Sequence, residues 1–161
     1  MLHEETRTVA ESRTTMSELV FPNHTNVLGN LMGGQLMYWM DTVSAICAQK
    51  HTHRACVTLS VDHISFRYPI RLGNLVNLEA RVTRAFSTSM EIFIDVIAEN
   101  MTTGERFQSN SAFFTFVALD QNGRPTQVPK LLVKTPEEKE LFDDAWTRRE
   151  HRLKISGDAK K

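Results

Sequence analysis

A chain of 161 residues with 19 Lys and Arg against 19 Asp and Glu has the size of one domain with a core of its own. Its formal net charge of zero supplies no bulk attraction for nucleic acid or an anionic membrane surface, so neither is expected as a partner. The opening stretch MLHEETRTVAESRTT lacks the apolar run of a signal peptide, and other apolar runs stop short of the roughly 18–20 residues of a membrane helix. Two cysteines, Cys47 and Cys56, make no disulfide framework and suit a reducing compartment, which gives a cytoplasmic expectation.

Residues 1–13 are polar and aperiodic and read as a disordered tail, leaving 14–134 as the domain proper. Residues 15–21 predict a first strand, closed by Pro22, and a loop runs through residues 23–30. Residues 34–50 predict a helix with apolar side chains in almost every direction: Leu36, Met37, Tyr38, Trp39, Met40, Val43, Ala45, Ile46, Cys47 and Ala48. Asp41 is the only formal charge between Gln35 and Gln49. A helix apolar all round is a buried one, so the sheet should wrap it.

Strand periodicity follows. Val57, Leu59 and Val61 alternate, and Ile64 and Phe66 continue with the parity shifted by one, which predicts a bulge near residues 62–63. Val76, Leu78, Ala80 and Val82 mark the next strand, Ile92, Ile94, Val96 and Ala98 another, and residues 106–119 the last. Turn residues separate them at short spacing, which favours an antiparallel meander. The tail carries a helix over 135–154 that starts on a capping box, with Thr135 as cap, Pro136 in the first turn and Glu138 reaching back. Its apolar stripe is Leu141, Phe142, Ala145, Trp146 and Leu153, and residues 155–161 read as a frayed tail. The fold class is α+β, with about five antiparallel strands around one long helix.

Two features carry chemistry. Asp41 is a carboxylate in apolar surroundings, costly to ionise unless donors hold it, and such a group serves as a general base or nucleophile as readily as a structural hydrogen-bond acceptor. Gly33 and Gly34 open the helix and leave its first backbone N–H groups uncovered, where a phosphate or a carbonyl gathering negative charge would be stabilised. The same pair also allows close helix packing. There is no G-x-S-x-G elbow and no P-loop. His51, His53 and the cysteines match no common zinc spacing, so no metal is expected.

The run N-x-x-G-x-x-x-G-G from Asn26 to Gly34, followed by the long helix with Asp41, resembles the acyl-CoA hydrolases of the hotdog-fold superfamily. The likeness continues through VTLSVD (57–62), FRYPIRLG (66–73), SAFFTFVA (111–118) and the Asn122-Gly123-Arg124 turn. It implies a hotdog fold and hydrolysis of fatty acyl-CoA to a free acid and CoA. Asn26 and Asp41 would be the catalytic pair and Thr58 a supporting residue. The resemblance also implies a homo-oligomer, at least a dimer and commonly a trimer of dimers (a hexamer).

Spacing adds an independent constraint. Seven residues from Gly34 to Asp41 span about 10 Å of helix, beyond the roughly 3 Å, or one water further, that general-base catalysis requires. An antiparallel copy across a two-fold axis would supply the missing Asp41. No cofactor is expected, because CoA is part of the substrate. Its phosphates call for basic residues, with Arg71, Arg84 and the Arg148-Arg149 pair as candidates, and Ser87 and Ser89 as donors to the pantetheine arm. The competing readings are a non-catalytic acyl-CoA-binding regulatory module and an acyl-thioester dehydratase or hydratase, for which His24 is the nearest histidine.

Overall fold

The structure, a computed structural model, describes residues 5–62 and 64–158. Five strands form one antiparallel sheet: β2 (Thr14–Leu19), β3 (Ala55–Val61), β4 (Leu75–Ala85), β5 (Ser89–Glu99) and β6 (Arg106–Leu119), in the order β2-β4-β5-β6-β3. A short parallel pair, β1 (Thr6–Thr8) with β7 (Lys130–Leu132), and a four-residue helix α1 (Val9–Ser12) complete the N-terminal side. The long helix α2 (Gly33–Thr52) lies on one face of the sheet and α3 (Pro136–Asp158) closes the chain.

The inner face of the sheet is built by period-two alternation. Val76, Leu78, Ala80 and Val82 of β4 are buried and pair with Ala98, Val96, Ile94 and Ile92 of β5. Ala112, Phe114 and Phe116 of β6 extend the same surface. Leu36, Met40, Val43 and Cys47 of α2, spaced by three or four residues, pack onto it as one stripe. Cys47 is held there as a core residue, and burial pushes its thiol up to about 12.

In three places the structure departs from the sequence expectations. Helix α2 is buried on one side only over its first half. Gly34, Tyr38 and Asp41 lie along its other face there, and Tyr38 is 66% exposed, whereas Ala48 and Thr52 further along are buried. Beside it the edge strand β3 turns Val57 and Leu59 outward, Leu59 at 65%. The apolar circumference of α2 therefore exceeds what one sheet covers.

Second, residues 5–13 are not a disordered tail. Val9 and Ser12 are buried, and the segment lies over the end of α2, where the buried His51 shares its Nε2 with the Pro129 carbonyl at 2.9 Å. Burial holds the His51 imidazole below its ordinary pKa. Residues 1–4 lie outside the described residues, as do 159–161 of the expected C-terminal tail, whose residues 155–158 instead continue α3.

Third, the bulge falls within β3: pairing with β6 shifts between Thr58 and Ser60, leaving Leu59 extra. Residues 64–67 belong to no strand, and His63 lies outside the described residues.

Helix α3 starts as its sequence predicts, with Glu138 N–H donating to Thr135 Oγ1 at 3.1 Å and Thr135 N–H to Glu138 Oε2 at 3.3 Å. It packs on the outer side of the sheet, away from α2. Its anchor there is ionic. Glu91 is 0% exposed and accepts from Thr83 Oγ1 at 2.7 Å, from Arg148 Nη2 at 2.7 Å and from Arg152 Nη1 at 2.9 Å. Arg152 also reaches Asp62 at 3.1 Å, and the Arg148 guanidinium lies 3.9 Å from the Phe113 ring centroid.

Candidate active site

The segment between β2 and α2 is shaped by its own hydrogen bonds. A 3₁₀ turn over Pro22–His24 folds the chain back, and His24 Nδ1 accepts from Phe21 N–H at 3.1 Å while its ring meets Trp39 edge-on at 5.1 Å. Both features tie His24 to structure. Asn26 then closes a tight loop: its Oδ1 accepts from Leu28 N–H at 3.0 Å and Asn30 N–H at 3.2 Å, and Gly29 turns the chain at φ 74°. The Asn26 carbonyl oxygen is thereby committed to the loop. Its Nδ2 has no hydrogen bond among the described residues and remains a donor at an exposed position.

Leu31 N–H bonds the Ile70 carbonyl at 2.6 Å and Met32 N–H that of His24 at 2.9 Å, which fixes where α2 begins. Met32, the N-cap residue, makes no side-chain cap, so the first N–H groups of α2 stay open as donors at the positive end of the helix dipole. A Cβ on Gly33 would touch the Phe66 ring at 3.4 Å, but a Cβ on Gly34 would meet nothing within 4 Å. No contact among the described residues requires glycine at 34.

Two turns along α2, Thr58 Oγ1 donates to Asp41 Oδ1 at 2.5 Å, a short contact of the charge-assisted kind. Asp41 is half-buried rather than enclosed, and its Oδ2 takes no hydrogen bond from the described residues. The bond spans α2 and β3, so β3 fixes the carboxylate's rotamer on the uncovered face of the helix. Asp41 and Gly34 share that face, seven residues apart.

The expected CoA contacts scatter. Arg71 is exposed and pairs by its backbone with Asn30, near the loop. Arg84 is committed to α3: it donates to the Phe142 carbonyl at 2.9 Å and stacks 4.1 Å from the Phe142 ring. Arg148 is spent on Glu91, and Arg149 lies over the Phe86 ring at 4.3 Å and points Nη1 at Ser89 Oγ, 3.5 Å away. Ser89 is buried and Ser87 exposed. Arg84, Arg148 and Ser89 therefore already have partners that link α3 to the sheet. The signal missed in the sequence was Glu91, a charge on the outer side of a strand that needed basic partners from α3.

Comparison with known proteins decides the family. The Thioesterase superfamily profile matches residues 28–105. The uncharacterized acyl-CoA thioester hydrolase YkhA of Bacillus subtilis is 42% identical over 148 residues, which are 92% of this chain and 86% of that protein. The chain belongs to the thioesterase superfamily. Among mammalian members, the acetyl-coenzyme A thioesterase of Mus musculus is 40% identical over 90% of this chain, but the chain spans only 26% of that longer protein.

Solved structures agree in fold. A hexameric acyl-CoA thioesterase in its apo form superposes with a TM-score of 0.91 at 38% identity, covering 94% of this chain and 97% of that one. The Staphylococcus aureus acyl-CoA hydrolase in complex with butyryl coenzyme A gives 0.90 at 32%, covering 96% and 94%. The five-stranded antiparallel sheet curled on α2 is thus the hotdog fold of this thioesterase superfamily. No helix among the described residues is long and apolar enough to cross a membrane.

Proposed function

We propose that this chain hydrolyses fatty acyl-CoA thioesters in the cytoplasm, at sites each shared between two copies of a homo-oligomer. The observation that carries the reading is the Thr58–Asp41 hydrogen bond of 2.5 Å on the uncovered face of α2, with Gly34 of the open helix start on the same face. The relatives named as acyl-CoA hydrolases, one of them cytosolic in Rattus norvegicus, support the substrate class and compartment. The hexameric neighbour supports assembly.

In this mechanism the thioester carbonyl lies against the N–H groups at the head of α2, where backbone donors and the helix dipole stabilise the developing oxyanion. Asn26 Nδ2 supplies a further donor to that oxygen or to the attacking water. Asp41 of the facing copy activates the water, or attacks to form an anhydride. Thr58 holds the Asp41 carboxylate so that the remaining oxygen faces the reaction. The CoA thiolate departs without acid assistance. Arg71 is the basic residue best placed near the loop to meet a CoA phosphate.

A dehydratase would need a free histidine beside the acid, and His24 is engaged with Phe21 and Trp39. A binding module would need no held carboxylate. Asp41→Asn keeps the shape and should lower thiol release from acyl-CoA by about 10²–10⁴-fold, with CoA binding and melting temperature preserved. Turnover near that of the native chain would remove Asp41 from the mechanism.

A further inference from the structure

Two cavities flank one stretch of β6. The first, of about 210 Å³, opens beside Asn30 and Gly33 at the head of α2 and is walled by Leu31, Leu36, Ile70 and the Phe66 ring. The second, of about 310 Å³, is polar, with Ser65, Arg67, Gln108 and Ser111 around it. Ser109 and Asn110 line both. They are the partition between the two.

The partition has a local cause. Val96 of β5 faces Asn110 and Ile97 faces Gln108, so Ser109 is the extra residue of a bulge. Two adjacent polar residues are therefore buried, at 7% and 6% exposure, where strict alternation would expose one. Ser109 Oγ donates to Asn110 Oδ1 at 2.5 Å, and Asn110 Nδ2 donates to the Ser65 carbonyl. The pair satisfies itself and requires nothing from a ligand. Displacing it would leave buried polar groups without partners.

We infer that the Ser109–Asn110 partition makes this an acyl-CoA hydrolase of short and medium chains, with Asn110 as the residue that sets acyl length. The inference rests on the reading that places the thioester carbonyl at the head of α2. From there the acyl group enters the first cavity along apolar walls and meets the partition. A space of about 210 Å³ is below the roughly 300–1,000 Å³ of a drug-sized ligand pocket and, since an apolar cavity of about 150 Å³ takes up benzene, suits an acyl group of up to about eight carbons. Pockets of this kind discriminate by about tenfold or more for each methylene that fails to fit.

The test is thiol release from acetyl-, butyryl-, octanoyl- and palmitoyl-CoA by the native chain, Asn110→Ala and Asn110→Leu. The native kcat/KM should be highest among the chains up to octanoyl-CoA and at least about tenfold lower for palmitoyl-CoA. Asn110→Ala joins the two cavities and should raise the palmitoyl-to-butyryl ratio of kcat/KM about tenfold or more. Asn110→Leu keeps the bulk while losing the bond to Ser65, and should keep the native ratio. That separates opened space from a loosened 64–68 segment.

A native preference for palmitoyl-CoA overturns the inference even if Asn110→Ala fails to fold. Matching ratios in the folded native and Asn110→Ala proteins, or equal shifts in both variants, also overturn it. If the native chain releases no thiol from any of the four, the functional reading falls first and takes the inference with it.

Discussion

Glu91 shows how much a single residue can organise. It sits on the outer side of β5 with no exposed surface, and two arginines from α3 and the Thr83 hydroxyl converge on it. A carboxylate taken out of water is tolerated only when its partners are in place, and removing one member of such a set costs about 3–5 kcal/mol. Glu91→Ala should therefore lower the unfolding free energy by about 3–5 kcal/mol in denaturant titration and loosen α3, seen as faster proteolysis within 136–158. A shift under about 1 kcal/mol would mean the cluster is solvated in solution and α3 is held by its apolar contacts. The sequence hid this arrangement for a physical reason. A charged residue at an outward strand position, and an arginine on a charged helix face, each look solvated until the two surfaces are known to meet.

At the scale of elements, the strands were legible because their burial has a period of two. The reading of residues 106–119 matches β6, and the Thr135–Glu138 capping box forms as written. The bulges were less legible, since one at Leu59 or Ser109 is set by pairing across strands and has no local sequence mark. Helix α2 was read as a core helix, and its exposed apolar face is the informative discrepancy: the sequence encodes cover that one sheet does not supply.

Gly34 belongs to the same face. Among the described residues nothing within 4 Å of its would-be Cβ explains a glycine there, and glycine in a helix costs about 0.5–1 kcal/mol against alanine. Gly34→Ala should leave thermal stability unchanged or raise it by up to about 1 kcal/mol. Turnover should fall by about 10²-fold as the methyl group displaces the bound carbonyl. Loss of stability without loss of turnover would show a packing role for Gly34.

At the scale of the whole molecule, one chain carries both halves of the proposed chemistry on one helix face but about 10 Å apart. The Asp41–Thr58 pair lies next to an edge strand and beside Tyr38, Val57 and Leu59, all exposed. An antiparallel second copy would cover this apolar surface and bring each carboxylate to the other's helix start. The proposed site residues could be named from the sequence, because Asn26, Asp41 and Thr58 stand in a pattern that resembles the family's. Which copy supplies each of them could not be read, because that depends on how two surfaces dock.

The central claim, that each site draws Asp41 and Asn26 from different chains, is tested by mixing two inactive variants. Asp41→Asn and Asn26→Ala are prepared separately, subunit exchange is verified, and thiol release is measured in the mixture. With shared sites, a mixed dimer holds one intact site and one doubly damaged site, so about half of the native rate should return in each mixed dimer, from the site count alone. If both residues act from one chain, every site in the mixture stays singly damaged. Activity no higher than that of the two parents after verified exchange would contradict the shared site.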